Sequence, residues 1–116
     1  MEREIYAPIL STFKPKLATN MNRKMFLQEK RTDILIVAQK YGAKNLRIFG
    51  SVAREQESEM SDIDLLLEMD VNQGLLEQIA FAQELETLLG YKVDLAEEET
   101  LHPLIKERVM REAIAL

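Results

Sequence analysis

The sequence predicts an α+β fold, an α/β sandwich in which one mixed sheet is flanked by helices. Three observations carry that expectation. Apolar residues switch between helical three- and four-residue spacing and strand-like alternation, in the order helix, strand, strand, helix, strand, helix. A chain of 116 residues with 47% apolar side chains suits one domain around one core. The absence of cysteine excludes a disulfide framework, a thiolate metal site and a cysteine nucleophile.

The elements follow in chain order. Pro8, Pro15 and the basic Lys14-Pro15-Lys16 run break any long helix near the start. Residues 1–25 are therefore expected to be an N-terminal extension, a short helix or turn leading into a linker, with Met21 and Met25 as alternative translation starts. The domain proper is expected over residues 26–116. Leu27, Ile34, Leu35, Val37, Ala38 and Tyr41 mark the apolar face of a helix over 26–41, and Gly42 stops it. Lys44 to Phe49 alternates as a strand, with Leu46 and Ile48 on one face and Arg47 and Phe49 on the other. A short helix is expected from Ser51 to about Gln56, then a second strand from Asp62 to Met69, paired with the first antiparallel or through a short crossover. Asn72 is the expected cap of a helix over 73–89, which Gly90 ends. Tyr91 to Ala96 reads as a third strand and 97–100 as a polar connection. Pro103 suits the first turn of a last helix running to about Ala115, packed through Ile105, Val109, Met110 and Ile114.

Charge and hydropathy exclude some classes of function. No apolar stretch approaches the roughly 20 residues of a membrane span, and the first 20 residues lack the apolar segment of a signal peptide. The expectation is a cytoplasmic protein with no membrane partner. Residues 1–31 carry seven Lys/Arg against three Asp/Glu, a net +4, whereas 32–116 carry eight against seventeen, a net −9. A domain this acidic is a poor ligand for polyanionic nucleic acid, so no direct nucleic-acid contact is expected. It suits a basic protein partner.

The chemistry concentrates between Ile48 and Asp70. Gly50-Ser51 ends one apolar run, and Asp62 and Asp64 sit one residue apart inside the next. On a strand those two carboxylates share a face, with Cα atoms roughly 6.5–7 Å apart. Ile63, Leu65 and Leu67 then point into the core. Carboxylates at that spacing can reach a pair of metal ions about 3.5–4 Å apart, and a hard oxygen ligand set without histidine or cysteine favours Mg²⁺ or Mn²⁺ over Zn²⁺. Val93 and Leu95 call for the core, which turns Asp94 to the open face. If the third strand lies beside the second, Asp94 joins Asp62 and Asp64. Two divalent ions would offset the repulsion among three carboxylates and the charge of a triphosphate. Gly50 lets a phosphate approach the backbone, Ser51 offers N–H and hydroxyl donors, and Arg54 adds a guanidinium about one turn on. Ser61, next to Asp62, joins them as a nucleotide-binding candidate. Lys44, Arg47 and Lys92 are weaker candidates for phosphate. Glu68 reads as a solvated rim residue, Glu97-Glu98-Glu99 as a solvated connection, and His102 as structural.

Gly50-Ser51, ten residues, then Asp62-x-Asp64 resembles the signature of the DNA polymerase beta nucleotidyltransferase superfamily. The strings FGSVAR, SDIDLLLE and VDLAEEE resemble its smallest members, the minimal nucleotidyltransferases, over about residues 26–116. The resemblance implies a nucleotidyltransferase-type mixed sheet in two or three layers. It implies metal ligation by Asp62, Asp64 and Asp94 and triphosphate contacts from Gly50 and Ser51. It further implies an antitoxin that silences a HEPN-domain RNase toxin by transferring AMP from ATP to a toxin tyrosine, with two Mg²⁺ ions as cofactors. One departure stands out. Family members commonly read A-R-G-E after the Gly-Ser pair, whereas this chain reads Ala53-Arg54-Glu55-Gln56. Two other readings stay open: a non-catalytic antitoxin that masks its toxin, and a transferase for a small molecule.

Overall fold

The structure, a computed structural model, describes residues 22–116. The expected short helix or linker at the chain start lies, up to residue 21, outside the described residues. The helix expected over 26–41 is present in two pieces, α1 (Arg23–Glu29) and α2 (Arg31–Lys40). Lys30 is the junction between them, at φ −89° and ψ 7°, yet the bonds Lys30 N to Phe26 O (3.0 Å) and Ile34 N to Lys30 O (2.9 Å) carry the chain across it. Asn22 caps α1, its side chain accepting from the Met25 N–H at 2.9 Å.

Strand β1 (Ala43–Phe49) follows. Its pairing register shifts between Lys44 and Arg47, where Asn45 adopts φ +54°, a bulge held by Asn45 Nδ2 donating to Glu68 Oε2 at 2.7 Å. The chain then makes the one-turn helix α3 (Gly50–Ala53) and returns as β2 (Ile63–Met69), antiparallel to β1. Helix α4 (Leu75–Leu89) starts later than the Asn72 cap predicts. Gly74 occupies the cap position, and the Glu77 carboxylate accepts its N–H at 2.8 Å, the returning half of a capping box. Gly90 ends α4 at φ +80°, in the left-handed position expected of it. Strand β3 (Val93–Glu97) lies parallel to β2, and a 3₁₀ turn (Glu98–Thr100) leads to α5 (Pro103–Glu112).

The last helix is shorter than expected. It stops at Glu112, and Ile114-Ala115 form β4, antiparallel to Ile48 and Arg47 of β1. The sheet order is β3-β2-β1-β4. Ile114 therefore acts from a strand, and Ile105, expected to face the core, is 40% exposed.

The core lies between one sheet face and α1, α2 and α4. Leu27, Ile34, Ile48, Val52, Ile63, Leu65, Leu67, Phe81 and Leu85 are all fully buried in it. Tyr41 joins α2 to α4, donating to Glu84 Oε1 at 2.7 Å and packing its ring 5.9 Å from that of Phe81. The opposite face is only partly open. Leu66 is fully buried there although the alternation assigns it to the open side. Its register neighbour Arg47 reaches Glu98 Oε1 at 3.0 Å and Met110 Sδ at 3.8 Å, so the 3₁₀ turn and α5 roof that face. No helix among the described residues is long and apolar enough to cross a membrane.

Candidate active site

Chain direction decides where the three aspartates meet. β2 and β3 run parallel with Asp64 opposite Asp94, and β1 places Phe49 opposite Asp64 at its own end. Side chains opposite one another in a ladder share a face. Asp64 thus projects between Asp94 and the segment in which β1 turns into α3. Asp62 stands one residue ahead of β2, exposed at the strand mouth, and Asp94 is exposed beside it.

Gly50 holds the closest approach. It adopts φ +74°, and a Cβ added there would strike the Asp64 carboxylate oxygen Oδ2 and lie 3.1 Å from its Cγ. Glycine serves both needs: the left-handed backbone and the absence of a side chain where a carboxylate packs. Ser51 follows it in α3, partly buried.

The electrostatics register the convergence. The Asp64 carboxyl is pushed up from 3.8 to about 6, first by burial, then by the charges of Asp94 and Asp62, while Arg54 opposes the shift. Folding binds this proton more tightly than the unfolded chain does. The stabilisation it contributes is complete below about pH 4 and is lost as the pH rises towards 6. The full shift corresponds to ~3 kcal/mol, and solvent screening at this partly exposed group reduces it to ~1 kcal/mol. In EDTA, Asp64→Asn is therefore expected to raise stability by ~1 kcal/mol at pH 7.5 and by much less near pH 4. Thermal unfolding at the two pH values reads the difference, and a destabilised variant at pH 7.5 contradicts it.

The remaining sequence candidates separate clearly. Arg54 is near the cluster but engaged, its Nη1 2.8 Å from Glu112 Oε1 on α5. The Ser61 hydroxyl accepts from Ser58 N at 2.9 Å and closes the turn before Asp62. Lys44 pairs with Asp70 at 3.7 Å and Arg47 with Glu98, both away from the aspartates. Arg47 Nη2 makes that contact without hydrogen-bond alignment. Lys92 is exposed, and His102 is structural as expected: its Nδ1 accepts from Leu104 N at 3.0 Å and caps α5. Glu68 is partly buried and bonded to Asn45. Glu98 belongs to the roof over Leu66, where the sequence suggested a merely solvated connection.

Glu55, where the family resemblance implies a glycine, keeps a glycine's backbone, with φ +58°. Its carboxylate is drawn to α1, 3.2 Å from Lys24 Nζ and accepting from Asn22 Nδ2 at 3.2 Å. The left-handed conformation costs a non-glycine residue ~1 kcal/mol, about what an exposed ion pair returns at most. Glu55→Gly is expected to leave the unfolding temperature unchanged or higher by a few degrees. A clear drop in thermal unfolding would show that the contacts with α1 outweigh the strain.

The donor set suits a hard divalent cation. It offers three carboxylates without imidazole or thiolate, their mutual repulsion awaiting compensation, and Gly50 keeps one carboxylate uncovered. Among the described residues, no three acidic or histidine side chains already stand as a closed ligand cluster. A separate cavity of about 440 Å³, lined by Lys44, Glu68, Asp70 and Glu97–Glu99, lies at the far end of β2 from Asp64.

Known proteins share this fold. The chain matches the nucleotidyltransferase domain family over residues 31–116. It is 39% identical to "Putative protein adenylyltransferase MJ0435" of Methanocaldococcus jannaschii over 90 residues, 78% of this chain and 97% of that protein. It is 34% identical to protein adenylyltransferase MntA of Thermococcus cleftensis over 76 residues, 66% of this chain and 77% of that one. A solved structure described as a "putative minimal nucleotidyltransferase" superposes with TM-score 0.72 at 38% identity, covering 85% of this chain and all of that one. A toxin–antitoxin structure with AMP-PNP shares the fold at TM-score 0.62 and 19% identity, covering 72% of this chain and 69% of that one. The chain belongs to the nucleotidyltransferase domain family, in its minimal form, and is an enzyme that transfers nucleotides.

Proposed function

We propose that this nucleotidyltransferase is a cytoplasmic antitoxin that moves AMP from ATP onto a tyrosine of a HEPN-domain RNase toxin. The observation that carries the reading is the Asp64–Asp94 register beside Gly50, which gathers acidic side chains at one strand end against the bare backbone of the Gly50-Ser51 turn. The names of the relatives support a protein acceptor, and the acidic domain suits a basic partner.

Asp62, Asp64 and Asp94 are the residues that would hold two Mg²⁺ ions. Those ions, when bound, supply charge neutralisation for the triphosphate and a more acidic acceptor hydroxyl. Gly50 and Ser51 receive the phosphates, Arg54 leaves Glu112 to pair with them, and Ser61 maintains the turn that presents Asp62. The tyrosine oxygen attacks the α-phosphorus in line. A new P–O bond forms, the bond to the β-phosphate oxygen breaks, and its electron pair departs with pyrophosphate. Asp94 takes the phenolic proton. Catalysis is mainly positioning and electrostatic.

The test is to incubate the protein with its co-expressed toxin, ATP and Mg²⁺ and to weigh the toxin. A mass gain in AMP units with loss of RNase activity is expected. A silenced toxin of unchanged mass contradicts transfer and favours masking. AMP appearing on a small acceptor without any protein partner contradicts the toxin as substrate.

A further inference from the structure

Between Val52 and Ile63, no residue is buried. After Val52 and Ala53, which pack on the core, the segment leading to Asp62 has no buried apolar residue, and its position depends on polar ties. The start of α1 supplies them. The Arg23 N–H donates to Glu57 Oε2 at 3.1 Å, beside the contacts of Asn22 and Lys24 with Glu55.

The Arg23 side chain reaches further. It is buried, at 7% exposure, and its guanidinium donates to the backbone oxygens of Ser61 and of Glu59, the latter at 2.9 Å. The same guanidinium lies 4.0 Å from the centre of the Tyr91 ring. Ser61 precedes Asp62 by one residue, and Tyr91 precedes Asp94 by three. The Ile63 N–H closes the same region by donating to Lys92 O at 2.9 Å. One buried side chain thus ties together the two segments that deliver acidic residues to neighbouring strand ends. A planar fork satisfies two carbonyls while stacking on an aromatic face; a lysine ammonium does not reproduce that geometry.

We infer that Arg23 is a positioning residue for nucleotide transfer, fixing Asp62 and Asp64 relative to Asp94 by clamping the Glu59 and Ser61 carbonyls against Tyr91. The inference rests on the nucleotide-transfer reading of the site. It puts part of the working machinery outside residues 31–116, which carry the family match.

The experiment uses the full chain with Arg23→Gln, Arg23→Lys and Tyr91→Leu. Binding of Mn²⁺ alone is followed by electron paramagnetic resonance, amide exchange by mass spectrometry, and AMP transfer by kcat and KM for ATP. Arg23→Gln and Arg23→Lys are both expected to weaken Mn²⁺ binding about tenfold or more and to lower kcat more than they raise KM. Exchange should quicken at residues 57–64 while α4 and β1 keep their protection. Tyr91→Leu should act in the same direction with a smaller effect. Wild-type Mn²⁺ affinity and wild-type exchange at 57–64 in a folded Arg23→Gln protein overturn the inference, as does protection lost equally across α4 and β1. If Arg23→Gln does not fold, Tyr91→Leu is judged by the same criteria. Wild-type protein that binds Mn²⁺ yet transfers no AMP refutes the transfer reading, and the Mn²⁺ and exchange data still decide the clamp.

Discussion

Asp64→Asn is expected to lower nucleotide transfer by about 10²–10³-fold, the loss that follows when a preorganised charge is removed from a transferring phosphoryl group. The substitution keeps the shape and removes the charge, so the fold is preserved. The same variant gains stability at pH 7.5 in EDTA, because the folded chain no longer holds a carboxylate between Asp62 and Asp94. A site that binds multivalent cations stores repulsion when empty, and activity and stability then pull in opposite directions at one residue. Asp62→Asn and Asp94→Asn share the loss of transfer. Radiolabel moved from α-labelled ATP to the acceptor measures all three, and near-normal transfer by Asp64→Asn contradicts the assigned role.

Gly50→Ala has the second large effect. The new Cβ meets the Asp64 carboxylate, and φ +74° is strained for any residue with a side chain. The strain costs ~1–2 kcal/mol of stability. The displaced carboxylate is expected to cost about 10²-fold in kcat/KM for the nucleotide, the scale of a 1 Å misplacement in a catalytic site. Gly90→Ala separates the two contributions. It carries similar backbone strain at φ +80°, at the end of α4. It should lower the unfolding temperature and leave transfer intact. Equal losses of transfer in both variants contradict a specific role for the space at Gly50.

The candidate site was legible because its residues announce themselves locally. Asp62-x-Asp64 beside Ile63, Leu65 and Leu67 leaves little choice of face, and all three apolar residues are fully buried as expected. Asp94 needed one fact that no local pattern contains, that β3 lies next to β2. The parallel register supplies it. What escaped the sequence depends on partners distant along the chain. Leu66 is buried because α5 and the 3₁₀ turn roof its face. Ile114-Ala115 form a strand only because β1 offers a free edge, and a two-residue strand has no periodicity to detect. The cap of α4 fell at Gly74 instead of Asn72 because Glu77 three residues on returns to the Gly74 N–H. Arg54 looked free for phosphate, yet Glu112, far along the chain, occupies it. Arg23 lay ahead of the expected domain start at residue 26, and its basic neighbours Lys24 and Lys30 gave no hint that it alone is buried.

The proposed function stands or falls with the carboxylates of Asp62, Asp64 and Asp94 beside Gly50 as the cation and nucleotide site. Paramagnetic broadening by substoichiometric Mn²⁺ in the amide NMR spectrum tests it most directly. The signals of Gly50, Ser51, Asp62, Ile63, Asp64 and Asp94 are expected to vanish first. Broadening centred on the other acidic region, the cavity lined by Glu68, Asp70 and Glu97–Glu99, would contradict it.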